Sequence, residues 1–167
     1  MFDVKTTVGV TKAETYRELA AQLRGLLADE TNGLANAANT AALLFAGLGE
    51  INWAGFYFMR GGELVLGPFQ GNVACVRLQL GRGVCGTAAQ QRKTIVVPNV
   101  DQFPGHVACD QASRSEVVVP LIKAGRLLGV LDVDGPSLAR FDATDAVGLE
   151  QIADIFLRHS DLTHLAD

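Results

Sequence analysis

The chain has 167 residues, 49% of them hydrophobic and 19% charged, and a formal net charge of -4. This length and composition predict one globular domain over residues 1–167, with a core that needs no disulfide bonds for support. Lysine and arginine form no basic stripe, so the chain is not expected to bind nucleic acid. No apolar run is long enough to cross a membrane and the N-terminus lacks the apolar core of a signal peptide, which predicts a cytoplasmic protein without a membrane partner.

Two helices are predicted in the first part of the chain. Thr11 and Glu14 have the spacing of a capping box, which marks the start of the first helix. The apolar residues that follow recur at helical spacing and are expected to face the core; they are Tyr16, Leu19, Ala20, Leu23 and Leu27. The second helix is predicted over 34–48, where alanine and leucine form the apolar face.

The rest of the chain has mainly the pattern of strands. A short helix is predicted over 84–91, a long polar loop over 99–114, and a last helix from about Asp142. That last helix is expected to turn Val147, Ile152, Ile155 and Phe156 inward. Strands are predicted at 51–60, 63–69, 74–80, 94–98, 116–122 and 126–134. This order predicts an α+β sandwich, in which a central antiparallel sheet of about six strands is flanked by helices.

The most informative residue is Cys109, which lies in the long polar loop. Reactive residues are often displayed on loops, whereas a cysteine that only fills space lies in an apolar element. The neighbouring Asp110 would raise the pKa of the thiol, and only about a few per cent of an unperturbed cysteine is thiolate at neutral pH. That fraction suffices for a soft, activated electrophile such as the sulfur of a protonated sulfoxide.

The two other cysteines, Cys75 and Cys85, precede Cys109 in the same middle part of the chain. Cys75 is expected on a strand, on the same face as Arg77, and Cys85 in the first turn of the short helix, where the helix dipole favours a thiolate. Either thiol can resolve an oxidised Cys109, and each alone is equally typical of a small buried residue. With His106 the cysteines have the ligand types of a zinc site, but their spacing fits no structural zinc pattern, so no metal is predicted.

Three acids and two aromatic residues are predicted to meet beside this loop. Asp132 and Asp134 alternate along one strand and Glu116 opens the neighbouring strand, so the three carboxyl groups converge to bind an ammonium group or to donate a proton. Trp53 and Tyr57 share one strand face and form an aromatic wall that suits a ligand with a methyl group. Two alternatives stay open, because such acids are also typical of turns and solvated strand ends, and such aromatics of a core.

Together these residues resemble the free methionine-(R)-sulfoxide reductases, a family of stand-alone GAF-domain enzymes. The resemblance implies a GAF-like sandwich and an enzyme that reduces free L-methionine-(R)-sulfoxide to L-methionine. It covers nearly the whole chain. The matching motifs are ANTAALL at 38–44, INWAGFY at 51–57, LVLGPFQG at 64–71, GRGVCGTA at 81–88, GHVACD at 105–110, SE at 115–116 and GVLDVD at 129–134.

The resemblance also implies a role for each cysteine. Cys109 would attack the sulfoxide sulfur, become a sulfenic acid and release methionine. Cys75 would then form a disulfide with Cys109, and Cys85 would assist or act as an alternative resolving thiol. Thioredoxin would restore the thiols by exchange, with no bound cofactor.

For the remaining residues, the resemblance implies that Glu116, Asp132 and Asp134 hold the substrate ammonium group and assist protonation of the sulfoxide oxygen. Trp53 and Tyr57 would line the methyl side of the pocket. A homodimer is expected from the family alone. Two other functions remain open from the sequence: a GAF module that senses a nucleotide or another small molecule without turnover, and a redox sensor that uses its thiols.

Overall fold

The computed structural model describes residues 10–105 and 111–166, so Cys109 lies outside the described residues. The single-domain prediction for 1–167 extends past these ranges and stays a prediction. Within them two helices precede the first strands, and a short 3-10 helix lies at Val100–Gln102 between two later strands. The elements are α1 (Lys12–Leu26), α2 (Gly33–Gly47), β1 (Trp53–Arg60), β2 (Glu63–Gly71), β3 (Arg77–Leu78), α3 (Gly83–Gln91), β4 (Ile95–Val97), β5 (Ser115–Lys123), β6 (Arg126–Gly135) and α4 (Ala143–His159).

The six strands within the described ranges form one sheet in the order β3-β2-β1-β6-β5-β4, and every neighbouring pair is antiparallel. The hairpins β1–β2 and β5–β6 are those expected from the sequence, and they meet in the middle of the sheet where β1 pairs with β6. The prediction of an α+β fold with a central antiparallel sheet flanked by helices is therefore confirmed.

Helix α1 begins where local chemistry predicts. The Thr11 hydroxyl accepts a hydrogen bond from the Glu14 amide at 3.3 Å, and the Glu14 carboxylate accepts one from the Thr11 amide at 2.8 Å. This capping box satisfies amides that the first turn leaves without partners. The predicted apolar stripe of α1 is buried in the core. No helix in the described ranges is long and apolar enough to span a membrane.

The sheet has two covered faces, because side chains alternate along each strand. On the core face, which α2 and α4 cover while α1 packs against those two helices, β1 contributes Phe56 and Phe58 to the main hydrophobic cluster. On the opposite face, which α3 contacts (the α3 face), the same strand contributes Trp53 and Tyr57 to a smaller cluster. The main core therefore lies on one side of the sheet, and the predicted aromatic wall lies on the other.

Two predictions about individual residues are wrong. The strand expected over 74–80 is limited to Arg77–Leu78, so Cys75 lies in an irregular segment ahead of it. This edge strand pairs only with β2, and few backbone hydrogen bonds hold it. Val147 is 66% exposed rather than turned inward. It precedes the buried Leu149 by two residues, which is about half a helical turn and places it on the solvent side of α4.

Candidate active site

The register of three central strands brings the predicted acids and Trp53 to one face of the sheet. Glu116 on β5 lies opposite Asp134 on β6, and Asp134 lies opposite Trp53 on β1. Directly opposite residues share a face, so these three side chains lie on the α3 face, with Asp132 two residues away on the same strand. Asp134 is therefore part of a strand rather than of a turn, and Glu116 is buried rather than solvated.

Helix α3 adds Cys85 to these acids. Glu116 and Asp132 are each 6% exposed and Cys85 is 5% exposed. The Cys85 Sγ donates a hydrogen bond to Glu116 Oε1 at 3.7 Å. One ligating atom from each of Cys85, Glu116 and Asp132 lies within 4.8 Å of the others, and Asp132 Oδ1 is buried without a hydrogen-bond partner. The three side chains form a compact polar cluster in an apolar layer, called here the thiol–carboxylate cluster.

Burial changes the protonation of both acids. It raises the pKa of Asp132 to about 7. It also raises the pKa of Glu116 well above its usual range, and the nearby charges of Asp132 and Asp134 raise it further. Close carboxyl groups cannot both ionise in a poorly solvated site, so they share a proton. Burial raises the pKa of both groups, so this pair holds a proton more readily than exposed carboxyl groups do.

The expectation that Cys85 is a helix-activated thiolate is wrong. Cys85 does lie in the first turn of α3, but burial raises its pKa, and the charges of Asp132 and Glu116 add to the effect. Burial and these charges oppose the helix dipole, which acts only over the first turn. Cys85 is therefore a protonated thiol.

An aromatic wall stands on β1 and β2 beside the cluster. The rings of Trp53 and Tyr57 stack with centroids 5.9 Å apart, and those of Trp53 and Phe69 with centroids 5.3 Å apart. Gly55 makes room for the wall, because a Cβ there would lie 2.6 Å from the Trp53 ring. Phe69 was not among the predicted site residues. The sequence feature that could have identified it is its position in the second strand of the hairpin, where it pairs with Gly55.

The wall also holds the segment that contains Cys75. The Tyr57 hydroxyl donates a hydrogen bond to the Cys75 carbonyl at 3.1 Å, and the Trp53 indole donates one to the Asn72 carbonyl at 3.2 Å. Cys75 is disulfide-bonded and half-buried, whereas Cys85 is a free, buried thiol. The structure thus brings together Trp53, Tyr57, Cys75 and the acids around Cys85, while Cys109 lies outside the described residues.

Known proteins share both the sequence and the fold. Residues 31–156 match the GAF domain family. The chain is 48% identical over 143 residues to the free methionine-R-sulfoxide reductase of Escherichia coli (strain K12), covering 86% of this chain and 87% of that protein. It is 41% identical over 158 residues to the free methionine-R-sulfoxide reductase of Saccharomyces cerevisiae, with 90% and 88% covered.

A solved structure agrees with these relatives. The X-ray structure of the free methionine-R-sulfoxide reductase from Neisseria meningitidis, in complex with its substrate, has a TM-score of 0.91 to this chain, at 47% identity over 95% of each chain. The chain is a GAF-domain protein that belongs to the free methionine-R-sulfoxide reductase family. The GAF fold and the family resemblance predicted from the sequence are confirmed.

Proposed function

We propose that this protein reduces free L-methionine-(R)-sulfoxide to L-methionine, the activity that names its E. coli and yeast relatives. The observation that carries the proposal is the arrangement on the α3 face. A buried acid whose pKa burial raises well above its usual range lies there with a second carboxyl group and an aromatic wall that holds the disulfide-bonded Cys75. This combination suits a small zwitterion that carries a polar oxygen and an apolar methyl group.

The acids explain why the free amino acid would be the substrate. Asp132 and Asp134 lie near each other on β6 and attract the substrate ammonium group, while Trp53, Tyr57 and Phe69 offer an apolar surface to the methyl end. An N-acylated substrate has no ammonium group, so it leaves the buried Asp132 carboxyl group without that partner. Leaving such a buried group without its partner costs about 1–3 kcal/mol, which disfavours methionine sulfoxide within a peptide.

In the proposed reaction, Glu116 protonates the sulfoxide oxygen while the sulfur of Cys109 attacks the sulfoxide sulfur. The sulfur–oxygen bond breaks and the oxygen passes to Cys109, so methionine leaves as the reduced thioether and Cys109 becomes a sulfenic acid. The Cys75 thiol then attacks the sulfenic sulfur, releasing water and forming a disulfide. A dithiol reductant, thioredoxin, reduces this disulfide and closes the cycle without a bound cofactor.

The states of the described cysteines support this division of roles. Cys75 is disulfide-bonded and half-buried, as a resolving thiol that a protein reductant must reach would be. Cys85 is a free thiol, and its hydrogen bond to Glu116 fits an assisting role that orients the proton donor. A homodimer and a cytoplasmic location are part of the proposal and rest on family resemblance and composition.

The test is methionine release from each epimer of free methionine sulfoxide, with thioredoxin and its reductase for recycling and N-acetylmethionine sulfoxide as the control substrate. We expect release from the free R epimer alone, and none from a Cys109→Ser variant. Full multiple-turnover rates in that variant would overturn the role of Cys109. No release from any substrate would overturn the proposed activity and favour a GAF module that binds a ligand without turnover.

A further inference from the structure

The thiol–carboxylate cluster draws its three side chains from three different elements. Cys85 comes from α3, Glu116 from β5 and Asp132 from β6, and each is at least nine-tenths buried. Their ligating atoms all lie within 4.8 Å of one another. The cluster is therefore held in place by packing on all sides, and binding of an ion there requires little rearrangement of the backbone.

The spacing of the atoms fits a bound transition metal. A zinc ion lies about 2.3 Å from a cysteine sulfur and about 2.0 Å from a carboxylate oxygen, so tetrahedral coordination places these two atoms about 3.5 Å apart. The Cys85 Sγ and Glu116 Oε1 are 3.7 Å apart. Asp132 Oδ1 is buried and has no hydrogen-bond partner, so this oxygen is available as a third ligand.

The charge of the cluster also favours a cation. None of the ion pairs formed by the described residues involves Glu116 or Asp132. A buried carboxyl group without a counter-ion is costly, and a bound cation removes that cost. We propose that Cys85, Glu116 and Asp132 form a binding site for Zn²⁺ in the reduced protein.

The ligand set selects zinc over the abundant hard cations. A thiolate with two carboxylate oxygens suits a borderline-soft ion, whereas Mg²⁺ and Ca²⁺ prefer oxygen ligands alone. On binding, the Cys85 sulfur and the Glu116 oxygen bond to the metal and their protons pass to solvent, so nothing is oxidised or reduced. Three protein ligands leave the fourth tetrahedral position to water or to a substrate group.

Zinc at this site inhibits turnover, a consequence that rests on the proposed function. The ion removes the proton that Glu116 would donate and occupies the place of the substrate ammonium group beside Asp132. Inhibition is therefore competitive with free methionine sulfoxide and reversed by a chelator. The site gives the enzyme a response to free zinc that is separate from oxidation of its other two thiols.

Binding is tested without turnover, in a Cys75→Ser/Cys109→Ser double variant that keeps Cys85 as its only thiol. Titration with Co²⁺ is expected to produce a thiolate-to-cobalt charge-transfer absorption with one ion per chain, and Zn²⁺ is expected to displace it. Adding Cys85→Ala removes the band, and adding Asp132→Asn weakens Co²⁺ binding at least tenfold. Asp154→Asn, an exposed acid on α4, is the matched control and leaves binding unchanged.

The outcomes separate this proposal from the proposed function. Absence of the band in the double variant, or a band of equal strength after Cys85→Ala, overturns the zinc site. Unchanged affinity after Asp132→Asn also overturns it, provided that far-ultraviolet circular dichroism shows the variant folded. Charge-transfer absorption in a protein that releases no methionine supports the zinc site and overturns only the reductase activity. Competitive inhibition of an active enzyme by Zn²⁺ supports both.

Discussion

Glu116 is the side chain on which the proposed chemistry depends most directly after the nucleophile. Burial raises the pKa of this carboxyl group well above its usual range, which favours the protonated form, and the hydrogen bond from Cys85 orients it. Glu116→Gln keeps the size and polarity of the side chain but removes the acidic proton. We expect kcat to fall on the order of 10²–10⁴-fold, the range usual for loss of a general acid, while KM changes little.

The comparison variant is Asp134→Asn, which removes a charge next to the substrate but not the proton donor. It should raise KM more than it lowers kcat, because the loss is mainly in attraction of the ammonium group. Steady-state kinetics on the free R epimer measures both. A Glu116→Gln enzyme that keeps more than about a third of the wild-type kcat would assign proton donation to another group.

Asp132 makes stability depend on pH in an unusual direction. Its pKa is about 7 in the folded protein and 3.8 in a model peptide, so between these values the folded state holds the proton that the unfolded chain releases. The free energy of unfolding therefore falls as pH rises from about 4 to about 7, by at most about 1.4 kcal/mol per pH unit, and levels off above that range. Most proteins lose stability when acidified instead.

Asp132→Asn tests this dependence, because an amide does not titrate. Urea unfolding of both proteins at about pH 5 and about pH 8 gives the difference that belongs to Asp132 and its partner Glu116, since other groups cancel between the two proteins. We expect the variant to gain stability relative to the wild type as pH rises. An equal pH dependence in the two proteins would show that Asp132 is not held protonated.

The elements differ in how far the sequence predicts them. The start of α1 is predictable because the capping box at Thr11 and the apolar spacing after it are local signals. The strand predicted over 74–80 is mostly absent, because pairing at a sheet edge depends on how many backbone partners β2 offers. No local sequence pattern encodes that number. Cys85 meets Glu116 only through the packing of α3 on the sheet. Burial there raises the pKa of the Cys85 thiol, so it is protonated, although its position in the first turn of a helix indicated a thiolate.

The segment between β2 and β3 has a surface suited to a protein reductant. Val73 is 87% exposed and Val76 is 61% exposed, and they flank the disulfide-bonded Cys75. Exposed apolar side chains beside a reactive bond favour contact with a partner protein. We expect Val73→Asp to raise the KM for thioredoxin roughly threefold to tenfold, a loss on the order of 1 kcal/mol at one contact residue.

A small reductant distinguishes an effect on thioredoxin docking from an effect on the reaction itself. Turnover driven by dithiothreitol should not change in Val73→Asp, because that molecule needs no protein surface. Val147→Asp is the matched control, since Val147 is also an exposed valine but lies on α4. Equal thioredoxin kinetics in the two variants would place the docking surface elsewhere, and a loss of dithiothreitol-driven rate in Val73→Asp would indicate damage to the site itself.

In the whole molecule, the residues that stabilise the fold and the residues of the candidate site lie mainly on opposite faces of the sheet. The core face carries the main hydrophobic cluster, whereas the α3 face carries the acids, whose burial costs stability. On the core side, Asp145 joins α4 to α1. It is fully buried, accepts hydrogen bonds from Arg140 and Tyr16 at 3.0 Å each, and contacts Lys12 beside a cavity of about 690 Å³.

Removing Asp145 tests whether this contact stabilises the fold without serving the site. Asp145→Ala leaves the mostly buried Arg140 without its partner, so we expect a loss of about 3–5 kcal/mol in the free energy of unfolding. Asp154→Ala, which breaks an exposed pair with Arg158 on the same helix, should cost less than about 1 kcal/mol. Urea unfolding measures both losses, and KM for the sulfoxide should stay the same in each folded variant. A changed KM in Asp145→Ala would mean that the two faces of the sheet are coupled, because Asp145 makes no contact with the acids on the α3 face.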